Sequence, residues 1–322
     1  MCGIAGMFDP SGLCDAEARA VLAAMTGVLR HRGPDDSGAW VDPAAGVALG
    51  HRRLAILDLS PLGHQPMHSM GGRYVVTFNG EIYNFQALRQ ELGARGHTFR
   101  GRSDTEVLLA AICEWGVRPA VERFNGMFAF ALWDRADRTL HLVRDRAGEK
   151  PLYYGWFGGT LLFGSELKAL RAHPAFHPEI DRDALALFLR HGYITAPHTI
   201  YRGVCKLPPG TLLTLKAGAE GFAETVFNSV LLNYYRDGTD SVGWHADNEP
   251  ELGARPVIAS LSFGATRTFE LRRRTTGKVA KLPLTSGSIL IMRGTTQHHW
   301  VHRVPKEPGS ASRINLTFRF IH

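Results

Sequence analysis

The sequence predicts an α+β domain followed by a mainly β domain, on three observations. At 322 residues the chain has room for two domains of about 100–200 residues each. Its first two-thirds alternate short β-type runs with helical ones, whereas beyond residue 226 the helical signal nearly vanishes. Between them LKAGAEGFAE, small and polar with two glycines, reads as a linker. The expected division is a first domain at 1–217, a junction at 218–225 and a second domain at 226–322.

Within the first domain, strands are expected at 74–78, 139–143 and 211–215, and helices at 16–29, 86–95 and 105–115. In the second, NSVLLNYY, PVIASLSF, TFELRRR, GSILIMR and RINLTFRFI are apolar runs of strand length, the pattern of an all-β sandwich or barrel. With 44% hydrophobic and 21% charged residues the chain can bury a substantial core, which excludes wholesale disorder. A formal charge of +7 permits a polyanionic partner without requiring one. Cys2, Cys14, Cys113 and Cys205 follow neither metal-ligand nor disulfide spacing, as in a reducing cytoplasm. No run approaches the ~18 apolar residues of a membrane span, and MCGIAGMFDP lacks a secretion signal's basic and long apolar regions. A cytoplasmic protein with no membrane partner is expected.

Cys2 becomes the first residue once Met1 is removed, and its free α-amine, with an ordinary pKa of about 7.7–8.0, can then serve as base for its own thiol. Alone, a cysteine here reads as a small residue, Asn79-Gly80 as a hairpin turn, and Arg53 or Asp104 as surface charges. The surrounding motifs are MCGIAG, HRGPDDSG at 31–38, GHRRLAILD at 50–58, FNGEIYN at 78–84 and GRSDTEV at 101–107. FNGMFAFALWD, RDRAGEKPLYY, FGSELKAL and KLPPGT continue the set to about residue 215. Together they resemble the glutaminase domain of asparagine synthetases, a class II glutamine amidotransferase. The resemblance implies an amino-terminal-nucleophile hydrolase fold with αββα layers. It implies Cys2 attacking the glutamine amide through a thioester, Asn79 and the Gly80 N–H as oxyanion hole, and Arg53, Glu81 and Asp104 binding the substrate's α-groups. His31 and Arg32 are expected to order the site, and no cofactor is expected for this half. A complete asparagine synthetase continues into an ATP-pyrophosphatase domain with a Ser-Gly-Gly-x-Asp-Ser-type loop. No such loop follows here, so ammonia would pass to a separate synthetase.

In the second domain His245 and Asp247 lie two apart in a strand-like stretch, which would point both to one face. With His302 they could form a two-His-one-carboxylate iron site. NYYRDGTDSVGWHADNE, SLSFGATRTFELR, HHWVHRVPK and RINLTFR resemble the AlkB family of Fe(II)/2-oxoglutarate dioxygenases, which oxidatively dealkylate nucleic-acid bases. The resemblance implies a double-stranded β-helix (jelly roll) truncated at its start. His245, Asp247 and His302 would bind Fe(II), Asn233, Tyr235, Arg313, Asn315 and Arg319 would bind 2-oxoglutarate, and dioxygen would be cosubstrate. Alkylated DNA or RNA is the implied partner. His298 and His299 are expected to be loop residues rather than ligands, and Arg272–Arg274 a phosphate contact or a solvated strand end.

Three accounts follow: two enzymes in one polypeptide, one working half, or two partial genes joined into a metal- or nucleic-acid-binding module without catalysis.

Overall fold

The structure is a computed structural model that describes residues 1–216, 223–226, 229–247 and 258–319, without the side chains of 223–226, 229–232, 318 and 319. Two compact units divide the chain, Met1–Val226 and Phe227–His322.

The first unit begins β1 (Gly3–Phe8), α1 (Asp15–Gly27), β2 (Asp36–Asp42), β3 (Val47–Arg53), β4 (Met67–His68), β5 (Tyr74–Ile82), α2 (Phe85–Ala94), α3 (Asp104–Trp115) and α4 (Val117–Arg123). It continues β6 (Gly126–Asp134), β7 (Thr139–Arg144), β8 (Tyr153–Phe157), β9 (Thr160–Gly164), α5 (Leu167–Arg171), α6 (Arg182–His191), β10 (Val204–Lys206), β11 (Thr211–Lys216) and β12 (Ala223–Val226). The strands form two six-stranded sheets, ordered β10-β8-β9-β1-β3-β2 and β12-β11-β7-β6-β5-β4. Phe8, Leu49 and Phe163 of one sheet and Val75, Trp133 and Leu142 of the other belong to a single buried cluster, so the main core lies between the sheets. On the far side of the first sheet, Leu22 and Met25 of α1 pack with Met7, Ala48 and Leu162. On the far side of the second, α3 lies against β5 and β4 with Val107, Leu108, Ala111 and Ile112 buried. The layers therefore run helix, sheet, sheet, helix. Because both faces of each sheet are covered, GMFAFALWD of β6 is nearly all buried and reads as a continuous apolar run rather than an alternating one.

The expected helices lie within two residues of α1, α2 and α3 at each end, the usual fraying margin. One alternative reading is excluded and one local expectation changes. Asn79-Gly80 is not a turn: both residues sit inside β5, paired with Ala129 and Phe128 of β6. The expected linker also contains ladder, because Ala223–Val226 returns antiparallel on β11, with Thr214 opposite Ala223.

The second unit runs β13 (Ser229–Tyr235), β14 (Val242–His245), β15 (Ile258–Gly264), β16 (Arg267–Arg273), β17 (Val279–Leu284), β18 (Ile289–Met292), α7 (Thr296–His299), β19 (Trp300–Val304) and β20 (Arg313–Arg319). Its two antiparallel sheets are β13-β20-β15-β18 and β14-β19-β16-β17. Tyr235, Ile258 and Met292 from one sheet share a buried cluster with Phe269, Leu284 and Val304 from the other, the arrangement of a sandwich. Arg267, fully buried, ties its parts together by donating to the carbonyls of Asp237, Asp240 and Pro305.

Among the described residues no helix is long and apolar enough to cross a membrane.

Candidate active sites

Pairing of β1 with β3 sets Gly3 opposite Arg52, which brings Cys2 beside Arg53 and Leu54 where the ladder ends. The Leu54 N–H donates to Cys2 Sγ at 3.4 Å, and Arg32 Nε donates to the Cys2 carbonyl at 2.9 Å. Burial pushes the Cys2 thiol up, against the opposing pull of the Leu54 hydrogen bond, the terminal amine and Arg53. A thiol held up in this way stays protonated near neutrality and needs a base at the moment of attack.

Across the cleft, β5 supplies Asn79 and Gly80. Asn79 is 1% exposed, and its Nδ2 has no hydrogen-bond partner among the described residues, an expensive state for a buried donor unless a ligand completes it. Gly80 is required by packing, since a Cβ would collide with the backbone of Met127 and Phe128 on β6. The preceding residue is pinned on both sides: Gln65 Oε1 accepts from Phe78 N at 2.6 Å, and His51 Nε2 lies 3.1 Å from Phe78 O. Burial drives His51 down to about 4, so its ring is neutral and Nε2 carries the proton donated to that carbonyl.

Arg53 Nη1 donates to Ser60 O at 3.1 Å and Nη2 to Asp58 O, while a Cβ at Gly63 would strike the guanidinium. Its direction is thus fixed by backbone. Asp104 opens α3, which Ser103 caps by accepting from Glu106 N, and its Oδ2 accepts from Ile82 N at 2.9 Å. Burial raises the Asp104 carboxyl to about 6; hydrogen bonds from the Ile82 and Thr105 amides oppose that, and Glu81 adds to it.

Cys2, Arg53, Asn79, Gly80, Glu81 and Asp104 all line one cleft of about 240 Å³. The cleft holds an acid pair, a guanidinium, a thiol and an unpaired amide, groups suited to a small zwitterion bearing an amide. Gln65, His51 and the Leu54 backbone were not singled out in the sequence; GHRRLAILD contains two of them, but only tertiary contact shows what they hold.

In the second unit His245 pairs directly with His302 across β14 and β19. The ligand atoms of His245, Asp247 and His302 all lie within 4.8 Å of one another, with His302 Nε2 3.4 Å from Asp247 Oδ2. His245 Nδ1 donates to Gly243 O at 2.8 Å, which leaves Nε2 as the nitrogen that could bind a metal, and the His302 ring stacks on Phe269 at 5.2 Å. The expected reason for the HxD geometry is corrected: β14 ends at His245, so strand alternation does not orient Asp247. Its N–H donates instead to Gln297 Oε1 of α7 at 3.1 Å. Two imidazoles and one carboxylate at this separation fit an Fe(II) ion with positions left open. His298 and His299, exposed on α7, are not members of the cluster.

Asn233, Tyr235 and Asn315 line the same cavity as the three candidate ligands. Register places Asn233 opposite Asn315 and Tyr235 opposite Arg313. Arg313 is 1% exposed; its Nη2 donates to Ser262 Oγ at 2.7 Å, while Nε and Nη1 have no hydrogen-bond partner among the described residues. Two unpaired donors on a buried guanidinium fit a carboxylate, as a dicarboxylate cosubstrate would supply. Arg319 ends β20, and its side chain lies outside the described residues.

The first unit is thus a four-layer αββα fold with Cys2 in a cleft, and the second a β-sandwich with a His-Asp-His cluster. The chain belongs to the glutamine amidotransferase domain family, whose model matches residues 1–227, and the model of the 2OG-Fe(II) oxygenase superfamily matches residues 181–319; both are enzyme families. Asparagine synthetase [glutamine-hydrolyzing] 3 of Bacillus subtilis (strain 168) is 42% identical over 217 residues, 66% of this chain and 34% of the relative. Alpha-ketoglutarate-dependent dioxygenase alkB homolog 3 of Mus musculus is 53% identical over 121 residues, 34% of this chain and 42% of the relative. The chain therefore spans less than half the length of either. Glutamine phosphoribosylpyrophosphate amidotransferase from B. subtilis superposes with a TM-score of 0.51 at 19% identity, covering 71% of this chain and 50% of that one, a likeness of fold.

Proposed function

We propose that this chain joins a glutamine-hydrolysing site at Cys2 to an Fe(II)/2-oxoglutarate-dependent site that dealkylates nucleic-acid bases, on a jelly-roll core. The observation that carries the first activity is the cleft in which the Cys2 thiol and the orphaned Asn79 amide are brought together. After Met1 is removed, the Cys2 α-amine takes the thiol proton as Sγ bonds to the substrate's amide carbon. Asn79 Nδ2 and the Gly80 N–H donate to the oxyanion, a contribution worth ~10²–10³ in rate per donor. The amine returns the proton as the carbon–nitrogen bond breaks and ammonia leaves, and water then hydrolyses the thioester to glutamate. Arg53 holds the α-carboxylate, and Asp104 with Glu81 the α-ammonium. No cofactor enters these steps. The ammonia goes to a separate synthetase, and the protein works in the cytoplasm.

Asp104 must be ionised to hold an ammonium group, and its raised pKa near 6 sets a pH limit. As pH falls through 6 the carboxyl protonates, so the KM for glutamine should rise by up to about tenfold per unit below that point. Initial rates between pH 5 and 8 check this; a KM flat across that range contradicts the role.

In the second unit, Fe(II) held by His245, Asp247 and His302 would supply dioxygen activation, with 2-oxoglutarate decarboxylated to succinate. Arg313 would grip one carboxylate of 2-oxoglutarate, with Arg319 at the other and Asn233, Tyr235 and Asn315 fixing its orientation. With iron and cosubstrate bound, the site would supply oxidative dealkylation to an alkylated base of DNA or RNA turned out of its stack. Arg272 and Arg303, each stacked on Trp244 at 4.4 and 4.5 Å, supply cations on the strands that carry the site. Formaldehyde release from a base-methylated oligonucleotide is the expected result with Fe(II) and 2-oxoglutarate present. Binding of that oligonucleotide without formaldehyde would favour the non-catalytic binding module instead.

A further inference from the structure

We propose that Glu166 is a positioning residue for the Cys2 nucleophile, acting through Arg32; this rests on the reading of Cys2 as the glutaminase nucleophile. The ladder between β1 and β9 begins only at Ala5 and Gly164. On the β9 side, opposite the ladder with β3, the residues ahead of Ala5 are held by the two residues that follow β9, the Ser-Glu of FGSELKAL. Ser165 clasps Ile4 from both sides: its N–H donates to Ile4 O at 2.9 Å, and its Oγ accepts from Ile4 N at 3.0 Å.

Glu166 reaches one step further. Its Oε1 accepts from Arg32 Nη1 at 2.9 Å, and the same guanidinium donates through Nε to the Cys2 carbonyl at 2.9 Å. The Arg32 side chain is 8% exposed, so it depends on this carboxylate as its counter-ion. Lys168 Nζ at 3.0 Å from Oε2 and His31 Nε2 at 2.9 Å from Oε1 complete the cluster. Partial burial pushes the Glu166 carboxyl up, but hydrogen bonds from Arg32, Lys168 and His31 outweigh it and hold the group at about 2. It is therefore a fixed anion under all working conditions.

An arginine can grip a carbonyl and a carboxylate in two directions at once, where a lysine offers a point charge. With Glu166 neutralised, the guanidinium loses its anchor and the Cys2 carbonyl its donor. The thiol then shifts relative to Asn79, whereas Arg53, Glu81 and Asp104 stand on other elements and keep their grip on glutamine. The loss should fall on the chemical step.

The test is kcat and KM for ammonia release from glutamine in the full chain, with Met1 removal established by intact mass. Glu166→Gln, Arg32→Ala, the double variant and Cys2→Ala are compared. Glu166→Gln is expected to lower kcat about ten- to a hundredfold with KM unchanged, measured well below a melting transition that loss of the counter-ion lowers. Added to Arg32→Ala it should cost less than about a further twofold, because both act through one contact. A normal kcat in Glu166→Gln, losses that multiply in the double variant, or a loss confined to a raised KM would overturn the proposal. Ammonia release surviving in Cys2→Ala would overturn the underlying glutaminase reading instead.

Discussion

Replacing Cys2 with alanine is expected to lower ammonia release from glutamine by about 10⁴-fold or more, because the proposed nucleophile and the bond it would form disappear together. No neighbouring group can take over. His51 is buried, neutral and turned toward the Phe78 carbonyl, and Cys205, the other half-buried cysteine of this unit, is not among the residues of the cleft. The substitution removes one sulfur at the edge of a large core and should leave the melting transition in place. Glutamine should still bind, since Arg53, Glu81 and Asp104 are untouched. Ammonia measured by a coupled assay, alongside glutamine binding by calorimetry, checks both halves of the expectation. Release at the unsubstituted rate would remove Cys2 from the mechanism.

The second large effect is expected at His245. Its alanine variant leaves only Asp247 and His302 of the cluster, with the strand pairing of β14 on β19 intact. Two donors are too few to hold Fe(II) against water, so iron affinity and conversion of 2-oxoglutarate to succinate should fall by at least about 100-fold. Iron titration and succinate formation are the readouts. Retained succinate production would contradict the assignment of this residue as a ligand.

Much of both sites was legible because the residues lie in dense motifs. FNGEIYN delivered Asn79, Gly80 and Glu81 together, and GRSDTEV delivered Asp104 with its own helix cap. What the motifs left open was local conformation. Asn-Gly looks like a turn on propensity alone; pairing with β6 overrides that, and the glycine serves close strand approach instead. The HxD pair looked like alternation along one strand, but the ladder stops at His245 and Asp247 is set by Gln297, fifty residues away in sequence. Such contacts leave no periodic trace. Gln65 and His51 act by bonding the Phe78 backbone and Leu54 by donating its own N–H to Cys2 Sγ, contacts that residue type does not announce. The end of the presumed linker was misjudged for a similar reason: AETV is too short to score as a strand until β11 offers it an edge.

The central claim is that one polypeptide carries two separate chemistries, and a crossed assay on the full chain tests it most directly. One preparation each of the unsubstituted protein, Cys2→Ala and His245→Ala is assayed for ammonia from glutamine and for succinate from 2-oxoglutarate with Fe(II) and oxygen. The account expects both products from the first, succinate alone from Cys2→Ala, and ammonia alone from His245→Ala. Failure of the unsubstituted chain to form either product, or persistence of a product in the variant that should lack it, would contradict it.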